Sequence, residues 1–234
     1  MILIEWYHLM WMLVPLCIVA FFMHRWGLGI GEMTYATVRM VVQLVAIGYV
    51  LVYLFNNDHP VLMSLVLSVM IIASGWITLR HVGHKGWSIL WRILVSIALA
   101  GLLMLGLIIL VIGVEPWYQS RFVIPLAGMI FSVCMNSLSQ YAERWERERN
   151  DTDIYTARNR AFKAALIPKL NNFFAVGLVA LPGMMTGQIL SGVSPLIAVR
   201  YQIMIMAMML GAGSMAVIFY SFFTCKQNQG TMGE

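Results

Sequence analysis

Apolar residues fall into seven long runs, at about 6–23, 37–55, 60–79, 90–113, 122–139, 164–182 and 197–223. A helix needs roughly 20 such residues to cross the hydrocarbon of a bilayer, and most of the runs approach that length. None alternates residue by residue as a barrel strand would. The pattern predicts an all-α, polytopic membrane protein of about seven transmembrane helices, forming a single domain over 1–234. The fifth run is short, and the sixth contains Pro168 and Lys169.

Between the last two runs lies LPGMMTGQILSG, residues 181–192, uncharged but interrupted by Pro182, Gly183, Gly187 and Gly192. Pro and Gly break helices and free backbone groups that lipid cannot satisfy. Such backbone is tolerated at membrane depth only where protein buries it or a cavity touches it. The stretch therefore predicts a re-entrant turn or broken helix at a subunit interface, lining the outer part of a path. Met184, Met185, Thr186 and Gln188 are its candidate path residues. Gly183 and Gly187, four apart, would let another helix approach closely.

Composition agrees. Hydrophobic residues make up 61% and charged ones 11%, against about 25% charged in soluble domains, and mean hydropathy is +0.81. The placement of charge adds orientation. With seven crossings, every Lys and Arg except Arg121 and Arg200 falls on one side, including Arg25, Arg80, Lys85, Lys226 and the Arg144–Lys163 group. That side is the cytoplasm, so the N-terminus lies outside and the C-terminus inside. Trp6, Tyr7, Trp26, Trp87, Trp91, Trp117 and Tyr118 near the predicted ends fit an interfacial belt. Cys17, Cys134 and Cys225 have no metal or disulfide spacing and read as small buried hydrophobes.

No Asp or Glu lies deep in a run; Asp58 and Glu115 fall in connections. A proton-driven transporter commonly holds an ionisable group well inside the membrane, so energy, where it is used, comes from outside this domain. GxxxxGK[ST], HExxH and GxSxG are all absent. The chain neither binds ATP through a P-loop nor shows a catalytic constellation.

The one large hydrophilic segment, 141–163, predicts a cytoplasmic helical connection. Glu143/Arg147 and Arg144/Glu148 are spaced for pairs along a helix. Residues 150–153 supply turn and N-cap chemistry, and a second helix begins near Ile154 and runs toward Pro168. The segment is either a solvated hairpin or a docking surface for a cytoplasmic partner, with Arg144, Arg147, Asp151, Asp153, Tyr155 and Arg158 as the candidate contacts.

Further path candidates are Arg39 and Gln43, four apart on the second run, and Tyr201 and Gln202, which open the seventh. Each has a plainer alternative: snorkelling for Arg39, interhelical hydrogen bonding or capping for the others. Methionines crowd the last third. Thioether sulfur favours Cu(I) over ferric iron, although methionine is also a common packing residue in such helices.

Three stretches, VRMVVQLVAIGYVLVYLF (38–55), IPLAGMI (124–130) and KAALIPKLNNFFAVGLVALPGMMTGQILSGVSPLIAVRYQIMIM (163–206), resemble the FetB-type ABC transporter permeases. That family is linked to bacterial iron export and, in plants, to aluminium tolerance. The resemblance implies a permease in the inner cell membrane that pairs with itself and with a cytoplasmic ATPase subunit. ATP-Mg would bind that subunit, no cofactor would bind this chain, and nucleic acid would not be a partner. A metal cation, iron by resemblance, would be the exported cargo. The connection between the fifth and sixth runs is shorter than is usual in the family and lacks an E-x-L-x-LGAT-like segment, so docking falls to 141–163. Where the family often has Gly-Asn, this chain has Ser132-Val133. Asn136, three residues on from Val133, is the candidate to restore the amide on that side. A passive channel and a membrane scaffold are the alternative functions.

Overall fold

The computed structural model of the protein describes residues 5–83 and 86–230, without the side chains of Trp6 and 225–230. Lys85 and the side chains of Cys225 and Lys226 thus lie outside the described residues. The helices are α1 (Trp6–Leu9), α2 (Leu13–Arg25), α3 (Ile30–Asn56), α4 (Pro60–Leu79), α5 (Trp87–Ile112), α6 (Ser120–Glu148), α7 (Ile154–Ala175), α8 (Gly183–Leu190) and α9 (Pro195–Gly230). Among the described residues there is no strand, only an isolated bridge between Val176 and Ala180. Six segments are long and apolar enough to cross a membrane: Tyr7–Arg25, α3, α4, α5, α6 and Pro195–Thr224 of α9. The protein is an all-α polytopic membrane protein.

The sixth apolar run is where structure and pattern part. Its helix, α7, begins in the polar connection, passes through Pro168 and stops at Ala175 instead of reaching 182. Asp153 starts it by accepting a hydrogen bond from the Thr156 N–H at 3.0 Å. Ala157, Ala161 and Ala165, spaced one turn apart, are buried to 0%, 0% and 2% exposure. Small residues in such a stripe let helix backbones approach closely. That packing carries the helix past a proline that removes one of its hydrogen bonds.

The chain divides into two compact units, Met1–Asn57 and Asp58–Glu234. In the first, α2 and α3 flank an apolar cleft of about 690 Å³ lined by Leu13, Leu16, Met40, Leu44 and Tyr49 among others. Cys17 is exposed on α2, so it is not the buried hydrophobe that its apolar run implied. In hydrocarbon, a one-sided apolar helix gains nothing by turning inward.

The second unit is built around α6, whose Val123, Ala127, Ile130, Cys134 and Leu138 are all fully buried. Contacts along α6 fix the direction of its neighbours. The Cys134 thiol donates to the Ala212 carbonyl at 3.4 Å, and the Tyr141 ring meets Tyr220 edge-on at 6.1 Å. Helix α9 therefore runs parallel to α6. The Lys169 side chain lies on Gly213, where a Cβ would come within 2.7 Å of its Cε and 2.5 Å of Ser137 Oγ. Arg160 reaches Glu148 at 2.7 Å, so α7 returns antiparallel to both. Van der Waals packing of this kind, rather than a hydrophobic drive, holds helices together in lipid.

Acidic side chains tie the connections in pairs. Asp58 Oδ1 accepts from the Ser120 backbone N–H at 2.9 Å, joining the second and fourth connections at one end. Both Glu146 oxygens accept from the Gly83 N–H, at 2.9 and 2.7 Å, joining the third and fifth at the other. This is the alternation that the placement of Lys and Arg demanded of α4, α5 and α6.

Two outcomes follow from these ties. A Cβ on Gly83 would sit 2.5 Å from Glu146 Oε2, so Gly83→Ala should lower stability by about 1 kcal/mol, read as a lower unfolding temperature in detergent. The Ser120 backbone N–H, and then its side chain, hold the Asp58 carboxyl below the usual carboxylate range. A depressed acid stabilises the fold above its unfolded pKa of about 4. That contribution is lost as pH falls through the lower folded value. Asp58→Asn should therefore melt below wild type at neutral pH, with the gap closing in strong acid; an equal gap at both pH values refutes the assignment.

Candidate functional site

Where α7 ends, the backbone turns on one acceptor. The Ala175 carbonyl takes N–H groups from Leu178, Val179 and Ala180 at 3.3, 2.8 and 3.1 Å, and the Gly177 N–H bonds to the Ala180 carbonyl at 3.1 Å. Gly177 has φ +82°, a conformation that costs side-chain-bearing residues about 1–2 kcal/mol. Pro182 then caps α8 in an extended conformation. Its carbonyl accepts from the Thr186 N–H at 3.0 Å and the Thr186 hydroxyl at 3.1 Å. Helix α8 closes with Gly192 at φ +92° and the Val193 N–H on the Gln188 carbonyl at 3.0 Å, a glycine-terminated stop. Pro195 at the first position of α9 needs no N–H partner.

The break lies within the length of its neighbours. From the level of Cys134 and Lys169, α7 has about 9 Å left before Ala175, while α6 has about 21 Å left to Ser120, at 1.5 Å per residue. Beneath the break is a cavity of about 400 Å³. Phe173, Val176 and Pro182 line it from the turn, Met185 from α8, and Gln202 and Met206 from α9. Gln202 and Met206 are four apart and so share a face of α9. Gln202 is 6% exposed, and its Oε1 has no hydrogen-bond partner among the described residues. Buried amides are normally paired. In a cavity whose other side chains are apolar or thioether, the Gln202 amide and the two methionine sulfurs are the heteroatom groups of the lining side chains. Counting along α9, Gln202 lies about 16 Å from the Gly213 level, toward the end held by Asp58 and Ser120.

The predicted path residues separate. Met185 and Gln202 meet at the cavity. Met184 is 40% and Tyr201 38% exposed, and neither lines it. Thr186 is engaged with Pro182, as above. Gln188 buries an amide oxygen without a partner, outside the cavity lining. No side chain lies within 4 Å of a Cβ built on Gly183 or Gly187, so within one chain nothing uses the close approach they permit. Arg39, half-buried, and exposed Gln43 belong to α3, outside the lining of that unit's cleft. Asn136 is exposed whereas Val133 is 7% exposed. The two do not share an environment, because the edge of the buried face falls between them; Asn136 goes instead with exposed Ser132. Met206 and Phe173 carry no signal of their own in the sequence, although the spacing from Gln202 to Met206 could have singled out the methionine.

At the other end the predicted hairpin forms as expected. Arg147 pairs with Glu143 at 2.6 Å, and Glu148 is shared by Arg144 and Arg160. Asp151 is exposed in the turn, its N–H on the Glu148 carbonyl at 3.1 Å. Asp153 caps α7, and Arg158 sits 5.4 Å over the Tyr155 ring. A groove of about 260 Å³ between α6 and α7 is edged by Gln140, Glu143, Arg144 and Arg147. Glu115 is exposed, as is Asp58, so neither points into the bundle.

Membrane-length helices, with a cavity where the α7–α8 segment breaks, define a multi-pass helical membrane protein. The chain belongs to the family described as Uncharacterised protein family (UPF0014), which matches residues 6–154 and 148–228. It is 33% identical to the UPF0014 membrane protein slr1647 of Synechocystis, over 92% of this chain and 90% of that one. It is 31% identical to Protein ALUMINUM SENSITIVE 3 of Arabidopsis thaliana, over 83% of this chain and 78% of that one. To the Probable iron export permease protein FetB of Escherichia coli it is 28% identical, over 81% and 78%. No solved structure matches.

Leucine in place of Gln202 removes an oxygen that nothing in the fold satisfies. Gln202→Leu should leave stability unchanged or raise it by about 1 kcal/mol, measured by thermal unfolding in detergent. A loss larger than that would mean that the amide serves the fold.

Proposed function

We propose that this chain is the permease subunit of an ABC transporter, exporting a metal cation across the inner cell membrane. A separate cytoplasmic subunit hydrolyses the ATP, and two copies of the chain form the path. The cavity at the broken segment carries this reading. A helix is interrupted at membrane depth, its backbone is partly reconnected across the break, and the nearly buried Gln202 amide stands in the wall of the space created. A scaffold gains nothing from such an arrangement. The name of the Escherichia coli relative supports export and iron.

In this reading α7 and α8 together make the sixth crossing in chain order, which brings the total to seven, with the α6–α7 hairpin in the cytoplasm and the cavity toward the outside. Among the described residues the one buried acid of the second unit, Glu148, lies in the hairpin and is paired with two arginines, which favours an external source of energy. The mixed charges of the hairpin suit a polar protein partner, with Arg144, Arg147, Asp151, Asp153, Tyr155 and Arg158 facing the ATPase. Without a P-loop the chain is not itself the ATPase.

Reconstitution tests this. Inside-out vesicles carrying the chain and its copurifying ATPase should accumulate metal only with hydrolysable ATP. Reversing Glu148 to Lys, which sets three cations together, should lower that flux at least tenfold. Equal flux without nucleotide would point to a passive channel.

A further inference from the structure

We propose that the cavity beneath the broken segment binds a soft, singly charged metal cation of the Cu(I) or Ag(I) class. Met185 and Met206 would supply thioether sulfur and Gln202 its amide oxygen. These residues come from two successive helices, α8 and α9, and all three line one cavity of about 400 Å³. Gln202 is nine-tenths buried and its amide oxygen has no hydrogen-bond partner among the described residues.

The charge of the ion follows from the donors. None of the lining residues is Asp, Glu, His or Cys, and no group of three or more such residues is close enough to hold a metal anywhere among the described residues. All the available donors are therefore neutral. The cost of moving an ion from water into an apolar space grows with the square of its charge. Neutral donors do not offset that cost for a divalent or trivalent ion at membrane depth, where an uncompensated charge is expensive.

Its softness follows from the sulfur. Thioethers select Cu(I) among the common biological metals. Cu(I) and Ag(I) also accept two or three ligands, the number offered here, whereas hard cations demand about six or more oxygens. Phe173, Val176 and Pro182 wall the cavity with carbon and add no oxygen side chain toward a hard ion's shell. The cavity's place in transport rests on the permease reading; its affinity for the ion does not.

The test uses the full chain in lipid nanodiscs, titrated anaerobically with Cu(I) against a coloured chelator, bicinchoninate. Wild type should withdraw about one equivalent per chain. The double variant M185L/M206L, which conserves volume, should weaken that site at least tenfold, and Gln202→Leu about threefold or more. Met184→Leu, one position away on the outward side, should match wild type within twofold. Full binding by the double variant, or an equal loss in Met184→Leu, overturns the proposal. Circular dichroism and thermal unfolding establish that the variants are folded. Vesicle flux separates the two readings. Cu(I) binding without ATP-driven flux of any metal leaves this site standing and removes the permease. ATP-driven flux by a chain that fails to bind Cu(I) removes this site alone.

Discussion

Hydrocarbon offers no partner for a peptide N–H or C=O, so the chain must satisfy every backbone group within itself. The second unit goes part of the way to meeting that demand where its helix stops. Ala175 collects three N–H groups on one carbonyl, Pro182 takes two donors from Thr186, and Val193 returns to Gln188. Three helix ends thus lie close together with several of their polar groups paired across the break. A continuous helix would fill the space beside α9. The interrupted one leaves a cavity there and sets a buried glutamine at its wall.

The same demand assigns the acidic residues their places. Helix ends expose N–H groups, and carboxylates are good acceptors for them where water can reach. Asp153 sits at the start of α7 and Asp58 at the start of α6, while Glu146 holds the Gly83 N–H just after α4. Each acid is occupied at an end, and the interior is left neutral apart from Lys169. That lysine runs along Gly213 and donates to the Ala165 carbonyl at 2.7 Å. Its stem packs against small residues while its charge is drawn back along α7 toward the hairpin, the behaviour of a snorkelling side chain.

What the sequence revealed depended on range. The α6–α7 hairpin was legible almost to the residue, because its pairs and its cap lie within four positions of one another. The long crossings were legible from hydropathy, and the break from Pro182 and the glycines. The passage of α7 through Pro168 was not, since the alanine stripe that supports it draws its energy from neighbouring helices. Nor was the place of Asn136. Three helical residues differ by about 60°, enough to cross from a buried face to an open one, and only the neighbours decide where that boundary falls. Of the site, Met185 and Gln202 could be chosen from the chain alone; their convergence with Met206 and Phe173 required the fold.

Cargo is decided by the same local chemistry. A relative named for iron export at 28% identity establishes kinship across most of the chain, yet ion preference resides in a few side chains. Ferric iron calls for hard, anionic oxygen donors, and the wall of this cavity offers thioethers and one amide. An ion moving past such a wall sheds water in exchange for weak, neutral contacts. A carboxylate at the Gln202 position would bind a multivalent cation more firmly, at the cost of a buried charge whenever the cavity stood empty. Neutral donors avoid that cost, so an empty cavity of this kind leaves no unpaired charge in the membrane.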